Sequence, residues 1–402
     1  MIRLGRKKPK SVPSLLRGLQ VYASLLARAG VVLAGLSALL GVSAARAELP
    51  VPCGGGACAP AGGPSVWVSS GAATASINGA AMTVHQSSDK AVLNWQSFNV
   101  GAGNHVDFQQ PGASSVAVNR IFQADASRIF GKVTANGQLV LINSNGIIFG
   151  NGAQVNAGSL IASSLNITQE ALDQGLARAI EASAPAFTAA RGPDGEVVSK
   201  YVEIQVGATL QSADGGQIFV FAPNVFNGGT IVTPGGQATL AAGTKIYLQQ
   251  GGGGRSDSLP GLTVEVDVEG VSDETLTKFL KGELTELPLG NVHNNDTLAN
   301  KGTISATTGT VSLVGLAVNQ TGRISATTSV RAGGSIFLRA RDTQDSRALT
   351  AEKRASPTRA GAVTLAAGSV TEVLPAYEDV TTTVDANVQP VSRIDVAGTQ
   401  IH

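Results

Sequence analysis

The side chains able to do chemistry are few and widely spaced in this 402-residue sequence. Its four histidines are His85, His105, His293 and His402. None has a partner at the spacing of a metal site or of a Ser–His–Asp triad. Acidic residues concentrate in 265–286 and 372–385, and the glycine run at 251–254 lacks the Lys-Ser/Thr pair of a phosphate-binding loop. We therefore expect no catalytic residue, no metal site and no cofactor, so that the protein is not an enzyme.

Two cysteines form the remaining candidate for chemistry. Cys53 and Cys58 lie in the segment Cys-Gly-Gly-Gly-Ala-Cys. Two cysteines alone are a weak metal signal, because a structural zinc site takes four ligands. Export to an oxidising compartment permits a small disulfide loop between them, and this pair is our candidate disulfide.

The first 47 residues have the layout of an extended signal peptide. Basic residues between positions 3 and 10 precede an apolar run of 14 residues at 29–42. The segment Ala-Arg-Ala that ends at Ala47 matches an A-x-A cleavage site, so that cleavage is expected between Ala47 and Glu48. A membrane anchor is the alternative, but 14 apolar residues are few for a helix that spans a bilayer.

Charge is distributed unevenly along the chain. The formal net charge is +1, but residues 1–47 carry eight basic side chains and no acidic one. The rest of the chain has 21 basic against 28 acidic side chains, a net charge of −7. Nucleic-acid binding needs clustered lysine and arginine, so we expect no nucleic-acid partner.

A repeat of 20 residues predicts the fold. The segment Asn300-Lys-Gly-Thr-Ile-Ser-Ala-Thr-Thr is followed 20 residues later by Gln320-Thr-Gly-Arg-Ile-Ser-Ala-Thr-Thr, with a weaker echo at 227–240. A second short β run follows each copy. This period is that of one coil of a solenoid, in which inward Val, Ile and Leu stack at the ~4.8 Å spacing of strands. We predict an all-β, right-handed parallel β-helix (β-solenoid); a β-sandwich or an up-and-down barrel is the alternative.

Three segments depart from this short-strand pattern. Residues 168–190 and 272–286 have the composition and start signals of short helices. Residues 342–360 are polar and charged without a period, which predicts a surface loop. We expect asparagine and glycine to occupy the corners between strands, where stacked asparagine side chains hydrogen-bond along the axis.

The central part of the sequence resembles a known family. The resemblance is carried by the segments 94–104, 106–111, 118–121, 129–133, 136–150 and 152–166. They are similar to the N-terminal haemagglutination-activity, or two-partner secretion, domain of filamentous haemagglutinins, related adhesins, haemolysins and contact-dependent inhibition toxins. The resemblance spans roughly residues 65–250.

The resemblance implies a function and a set of site residues. Such a domain is exported by the Sec machinery, is recognised in the periplasm by the POTRA domains of an outer-membrane TpsB transporter, and folds outside the cell. The family's Asn-Pro-Asn-Gly secretion motif and its Asn-Arg pair correspond here to Asn143, Ser144, Asn145 and Gly146, and to Asn119 and Arg120. Ser144 stands where the family has proline, so that this turn is less pre-set.

The resemblance therefore implies a secreted, surface-associated TpsA-type exoprotein of the filamentous haemagglutinin-like adhesin class. Receptors or glycans on host or neighbouring cells would be its further partners. The export module of a contact-dependent inhibition toxin or haemolysin is the first alternative, and a carbohydrate-active β-helix enzyme is a weaker one.

These patterns divide the chain into five segments. They are an extended signal peptide at 1–47, a flexible lead-in at 48–64, the two-partner secretion domain at 65–250, an insertion with a short helix at 251–299, and β-helix repeats, continuing or incomplete, at 300–402.

Overall fold

The computed structural model describes most of the chain after the predicted signal peptide. The described residues are 48–58, 62–174, 184–250, 262–294, 296–297, 300–330, 332–343, 358–377 and 391–402. The predicted signal peptide, including Ala47 of the predicted cleavage site, lies outside them. Among the described residues, no helix combines the length and the apolar character needed to cross a membrane.

Three long sheets run side by side, and the chain visits them in the repeated order A, C, B. Strands are numbered in chain order. Sheet A contains β1 (Val51–Pro52), β2 (Val68–Ser70), β5 (Lys90–Ser97), β7 (Val116–Ile121), β10 (Gln138–Asn143), β13 (Ser159–Ser163), β18 (Gln217–Ala222), β21 (Gln237–Ala242), β28 (Thr310–Gly315), β31 (Ser335–Asp342), β32 (Arg359–Ala360) and β35 (Arg393–Ala397). Sheet B contains β3 (Ala73–Asn78), β4 (Ala81–Gln86), β6 (His105–Gln109), β9 (Lys132–Ala135), β12 (Gln154–Ala157), β17 (Thr209–Ser212), β20 (Thr230–Val232), β27 (Thr303–Ala306), β30 (Arg323–Thr328) and β34 (Val370–Pro375). Sheet C contains β8 (Ser127–Ile129), β11 (Ile147–Phe149), β16 (Tyr201–Ile204), β19 (Asn224–Asn227), β24 (Asn291–Asn294), β29 (Ala317–Gln320), β33 (Ala362–Leu365) and β36 (Gln400–Ile401).

The remaining elements belong to excursions from the coils. A four-stranded sheet contains β14 (Asn166–Ile167), β15 (Phe187–Thr188), β22 (Lys245–Gln250) and β23 (Leu262–Asp267). A small hairpin joins β25 (Asp296–Thr297) to β26 (Asn300–Lys301). The helices among the described residues are α1 (Gln169–Gln174) and α2 (Asp273–Leu280).

The 20-residue repeat of the sequence is one coil of this structure. Ile304 pairs in parallel with Ile231 on one side and with Ile324 on the other. The second β run of each repeat stacks in the same way in sheet A. All three isoleucines are fully buried, because alternate residues of a strand point into the coil. The predicted parallel β-helix is therefore confirmed, and the antiparallel sandwich and barrel are wrong.

A ladder of buried amides fastens successive coils at the corner between sheets C and B. Asn227 Nδ2 donates to Asn294 Oδ1 over 2.8 Å, and Asn294 Nδ2 donates to Gln320 Oε1 over 2.7 Å. All three side chains are 0% exposed. The strand register aligns them because β19, β24 and β29 pair in parallel. The predicted hydrogen bonding of corner asparagines along the axis is thus present here.

The N-terminal coil is covered by antiparallel strands. β1 and β2 both pair with β5, and β3 pairs with β4 as a hairpin. Glu48 is held as well, because its carbonyl oxygen accepts hydrogen bonds from Gly101 N and Asn104 Nδ2. Glu48 and β1 therefore contact the first coil, and the flexible lead-in at 48–64 stays a prediction.

The four-stranded sheet covers an apolar outer face of sheet A. Phe219 and Phe221 are 1% and 0% exposed, and the Phe187 ring lies 5.3 Å from that of Phe221. The helix predicted over 168–190 is therefore wrong at its far end, because Phe187 enters a strand to reach this apolar layer. Only α1 is helical there among the described residues.

The second predicted helix is present over Asp273–Leu280, at the start of the predicted span 272–286. Ser272 caps it, since its Oγ accepts a hydrogen bond from Thr275 N over 3.1 Å. The helix ends before Gly282, whose φ of +76° is the left-handed conformation usual after a helix end. Helix α2 lies in the segment that leaves the coils at β22 and returns to them at β24. The boundaries 251–299 of the predicted insertion stay a prediction.

A buried ion pair joins the excursion to the coils. Asp342 is 0% exposed, and its carboxylate accepts from Arg359 Nε over 3.0 Å and from Val268 N over 3.3 Å. The Arg359 guanidinium also donates to the Val271 carbonyl oxygen over 2.6 Å. The surface loop predicted for 342–360 is therefore wrong at both ends, where β31 and β32 place these charges inside the protein.

Replacing Asn294 with alanine removes the middle of the amide ladder. Each orphaned buried amide group costs about 1–3 kcal/mol, so we expect the free energy of unfolding to fall by about 2–4 kcal/mol. Urea unfolding measures this. The control is Asn319→Ala, because Asn319 alternates with buried Val318 and Gln320 and points outward. Equal losses in both variants would contradict the ladder's role.

Replacing Arg359 with glutamine leaves the Asp342 charge buried without its partner. We expect a loss of about 3–5 kcal/mol in the free energy of unfolding. Arg323→Gln is the matched control, since Arg323 and Glu372 form an ion pair with side chains that are 45% and 24% exposed. That change should cost under about 1 kcal/mol. A small effect of Arg359→Gln would show that the pair does not fasten the excursion.

Candidate functional site

The predicted secretion motif forms the corner between β10 and β11. Gly146 N donates to the Asn143 carbonyl oxygen over 2.9 Å, which closes a four-residue turn. Among described non-glycine residues only Thr308 has a positive φ, so Ser144 and Asn145 have the negative φ of a type I turn. Gly146 has a φ of +106°, and an added Cβ would lie 3.0 Å from the Tyr201 carbonyl oxygen. A glycine is therefore required at this corner.

The two asparagines of the motif fasten the corner to the preceding coil. Asn143 is 0% exposed, and its Nδ2 donates to Asp125 O over 3.1 Å and to Ser127 Oγ over 3.0 Å. Its Oδ1 accepts from Asn145 N over 2.9 Å. Asn145 Nδ2 donates to Gln123 O over 2.8 Å. The two amides thus donate hydrogen bonds to backbone carbonyl oxygens that do not pair within the strands at this corner.

Ser144 occupies the outer position of the turn. Its side chain is half-buried, and neither its N–H nor its hydroxyl has a hydrogen-bond partner among the described residues. This is the second position of a type I turn, where proline is favoured. The proline that the family carries here is therefore compatible with the backbone, and serine keeps the corner without it.

The Asn-Arg pair lies in β7, and its two side chains point in opposite directions. Asn119 points into the coil and is 0% exposed. Its Oδ1 accepts from Trp95 Nε1 over 2.8 Å, and its Nδ2 donates to Ala117 O over 3.1 Å and to Val140 O over 3.3 Å. Asn119 thus hydrogen-bonds to three successive strands of sheet A and has a structural role inside the coil.

Arg120 points outward from the same strand and is half-buried. Its guanidinium lies 5.4 Å from the centre of the Phe122 ring, within the range of a cation–π contact. Burial lowers the pKa of Arg120 from its ordinary value. Arginine keeps its charge in proteins despite such a shift.

A groove brings the outward residues of both motifs together. It has a volume of about 400 Å³ and is lined by Arg120 and Phe122, by Ser144 and Asn145 of the corner, and by Ile167 of β14. Its lining residues include one cation and no acid. The motif residues could be found from the sequence, and they mark one side of the groove. The opposite wall is Ile167 of β14, which no sequence motif marks.

The candidate disulfide lies behind this groove. The structure joins Cys53 to Cys58, and both are buried. Gly63 N donates to the Cys58 carbonyl oxygen over 2.8 Å. A Cβ on Gly63 would lie 2.8 Å from both the Cys58 Cβ and the Phe122 ring. The disulfide loop therefore packs through Gly63 against the ring that lies below Arg120.

The described residues contain no group of three or more His, Cys, Asp and Glu side chains placed to hold a metal ion. The histidines lie apart from one another. His105 Nε2 is 2.7 Å from Thr134 Oγ1, and the His293 ring stacks on Phe226 with centroids 4.9 Å apart. Burial lowers the pKa of His293, against the opposing effect of Glu286.

Comparison with known proteins gives consistent results. A family model described as "TPS secretion domain" matches residues 64–385. A heme/hemopexin-binding protein from Haemophilus influenzae is 44% identical over 86 residues, which is 21% of this chain and 9% of the relative. The protein of the same name from strain Rd is 41% identical over 97 residues, 24% of this chain and 11% of the relative. The matched regions thus span about a tenth of these curated relatives.

One solved structure shows the same fold. The HMW1 secretion domain from Haemophilus influenzae aligns with a TM-score of 0.53 and 21% sequence identity. The alignment covers 82% of this chain and 83% of that chain. The likeness shows the fold.

Replacing Ser144 with proline should stabilise the protein. The substitution removes no protein hydrogen bond and restricts the unfolded chain, so we expect a gain of about 0.4–1 kcal/mol in the free energy of unfolding. Ser144→Ala keeps the N–H and serves as the control, with a change within about 0.5 kcal/mol. Thermal and urea unfolding measure both. A loss of stability in Ser144→Pro would contradict the type I turn.

Proposed function

This chain belongs to the TPS secretion domain family, and we propose that a cognate outer-membrane TpsB transporter recognises it through POTRA domains. The family consists of secretion domains of secreted exoproteins and is not an enzyme family. In this proposal the chain crosses the outer membrane, folds into its β-helix at the cell surface, and presents an adhesin of the filamentous haemagglutinin type. The observation that carries the proposal is the family match over residues 64–385.

The arrangement of the coils supports folding that proceeds from one end. Antiparallel strands cover the first coil, whereas every later coil pairs in parallel with the one before it. Each completed coil offers a row of free N–H and C=O groups to the next segment of chain. Growth by such templating releases free energy on the outer side of the membrane as each coil is buried. Folding of this kind would favour movement of the chain outward across the outer membrane.

The corner asparagines are the residues on which such folding depends most. Asn143 donates to the Asp125 carbonyl oxygen and to Ser127 Oγ, and Asn145 donates to the Gln123 carbonyl oxygen, so both asparagines tie this corner to the preceding coil. A coil that closes incorrectly here offers the wrong register to the next, and a one-residue slip turns its apolar side chains outward. Impaired corner closure would therefore reduce export as well as stability.

Export to the periplasm is proposed to use the Sec machinery and residues 1–47. Cleavage between Ala47 and Glu48 would leave Glu48 at the new N-terminus. The hydrogen bonds from Gly101 N and Asn104 Nδ2 to the Glu48 carbonyl oxygen, 2.9 and 2.8 Å long, would then hold that terminus on the first coil. The disulfide loop is small, with Cys53 and Cys58 separated by five positions, so oxidation before outer-membrane passage crosslinks little of the chain.

Replacing Asn143 or Asn145 with alanine should reduce release of the chain. The experiment expresses each variant with the cognate transporter and compares the amount in the medium with the amount retained in cells. We expect the released fraction to fall several-fold, most for Asn143, which is fully buried. Asn156→Ala is the control, because Asn156 is exposed on β12.

A transporter that lacks its POTRA domains supplies the second control and should release none of the wild-type chain. Release that persists without the transporter, or that is unchanged in both asparagine variants, would contradict the proposal.

A further inference from the structure

Arg120 differs from three other arginines of sheet A. Arg339, Arg341 and Arg359 each form an ion pair with a carboxylate. The Arg120 guanidinium has no carboxylate partner and no hydrogen bond among the described residues; its contact is the Phe122 ring. A half-buried cation that faces an open groove favours an anionic partner from outside the chain.

The lining of the groove defines the chemistry of that partner. The groove is also lined by Ser144 and Asn166, whose hydroxyl and amide groups can donate hydrogen bonds to an anion. Ile142 and Ile167 supply apolar walls. The arginine fork matches a planar carboxylate, which it binds with two parallel hydrogen bonds. The site thus fits a carboxylate that is flanked by apolar groups.

One wall of the groove is the open edge of a sheet. β14 is the outermost strand of the four-stranded sheet and pairs with β15 alone. Thr168 N donates to the Ala186 carbonyl oxygen, so the alternation of an antiparallel ladder directs the N–H and C=O of Ile167 away from β15. Ile167 also lines the groove. Its free main-chain groups are those that an added strand pairs with.

We propose that the groove binds an extended peptide strand of a partner protein, which adds to the edge of β14 and places an Asp or Glu carboxylate on Arg120. The folded domain would use this site whether or not the proposed route of export is correct. Charge complementarity and the open strand edge point to the same occupant. The Cys53–Cys58 loop, which packs through Gly63 against the Phe122 ring, would keep the guanidinium in place.

The test selects peptides from a random displayed library on the purified secreted chain and measures binding of an enriched peptide by fluorescence anisotropy. We expect enriched peptides to share one acidic residue among β-forming residues. Arg120→Gln should weaken binding at least about tenfold, as expected for loss of a charge-assisted hydrogen-bonded pair. Arg128→Gln is the matched control, because Arg128 lies exposed on β8 and away from the groove.

A second arm tests the contact directly. Changing the peptide's acidic residue to its amide should cost as much as Arg120→Gln, and the two changes together should cost little more than either. Ile167→Pro removes the N–H at the open edge and should also weaken binding. Thermal unfolding of each variant confirms folding, and Arg120→Lys, which keeps the charge but loses the fork, replaces Arg120→Gln if that variant is unfolded.

Three results with peptides would overturn the proposal, and one with a polysaccharide would do so as well. The peptide results are enrichment of peptides without an acidic position, peptide binding that is unchanged in the Arg120 variant, and binding that is unchanged in Ile167→Pro. Binding of an acidic polysaccharide such as a polyuronate through Arg120, without any preference for peptides, would assign the groove to glycans and equally reject the peptide.

Discussion

The structure depends on the hydrogen-bonded stacking of each coil on the one before it. Parallel strands supply most of these bonds, but at every corner the chain turns and leaves buried backbone groups that the ladder does not pair. Side-chain amides fill this need. Asn143 does so for the loop before β8. Buried amides also join coils elsewhere: Asn119 bonds a backbone oxygen of the next strand of sheet A, and Asn294 bonds the side chain of Gln320. One chemical solution recurs at several places along the axis.

This constraint separates the residues of the two motifs by direction. Asn119 and Asn143 point inward, are fully buried and are engaged by the fold. Arg120 and Ser144 point outward and meet in one groove. A motif that is continuous in sequence therefore combines residues that close a coil with residues that face solvent. Substitutions of the inward residues should affect folding, and substitutions of the outward residues should affect recognition.

Much of the fold could be predicted from the sequence, because the 20-residue period places Ile304 and Ile324 at equivalent positions of adjacent coils. The start of α2 was also predictable from its cap residue Ser272. Phe187 was misassigned to a helix since its neighbours are helix-forming, while its pairing with Ile246 lies far along the chain. Local composition does not contain such long-range pairings.

Only part of the site could be predicted from the sequence, because its remaining walls come from segments that are distant in the chain. The motif and the Asn-Arg pair mark the corner, but the groove also needs Gly62 and β14, which only the folded chain brings beside Arg120. Arg359 and Asp342 have the composition of a loop, and their burial follows from the excursion that packs over sheet A. Polar residues become interior where a distant segment covers them.

Hydrogen exchange of the Asn143→Ala variant tests most directly whether corner amides hold the coils together. Backbone amides of residues 116–121 and 138–149 should exchange faster than in the wild type, because these strands meet at the altered corner. Those of β28, several coils away, should keep their protection. Unchanged exchange over residues 138–149, or an equal loss of protection in every coil, would contradict the account.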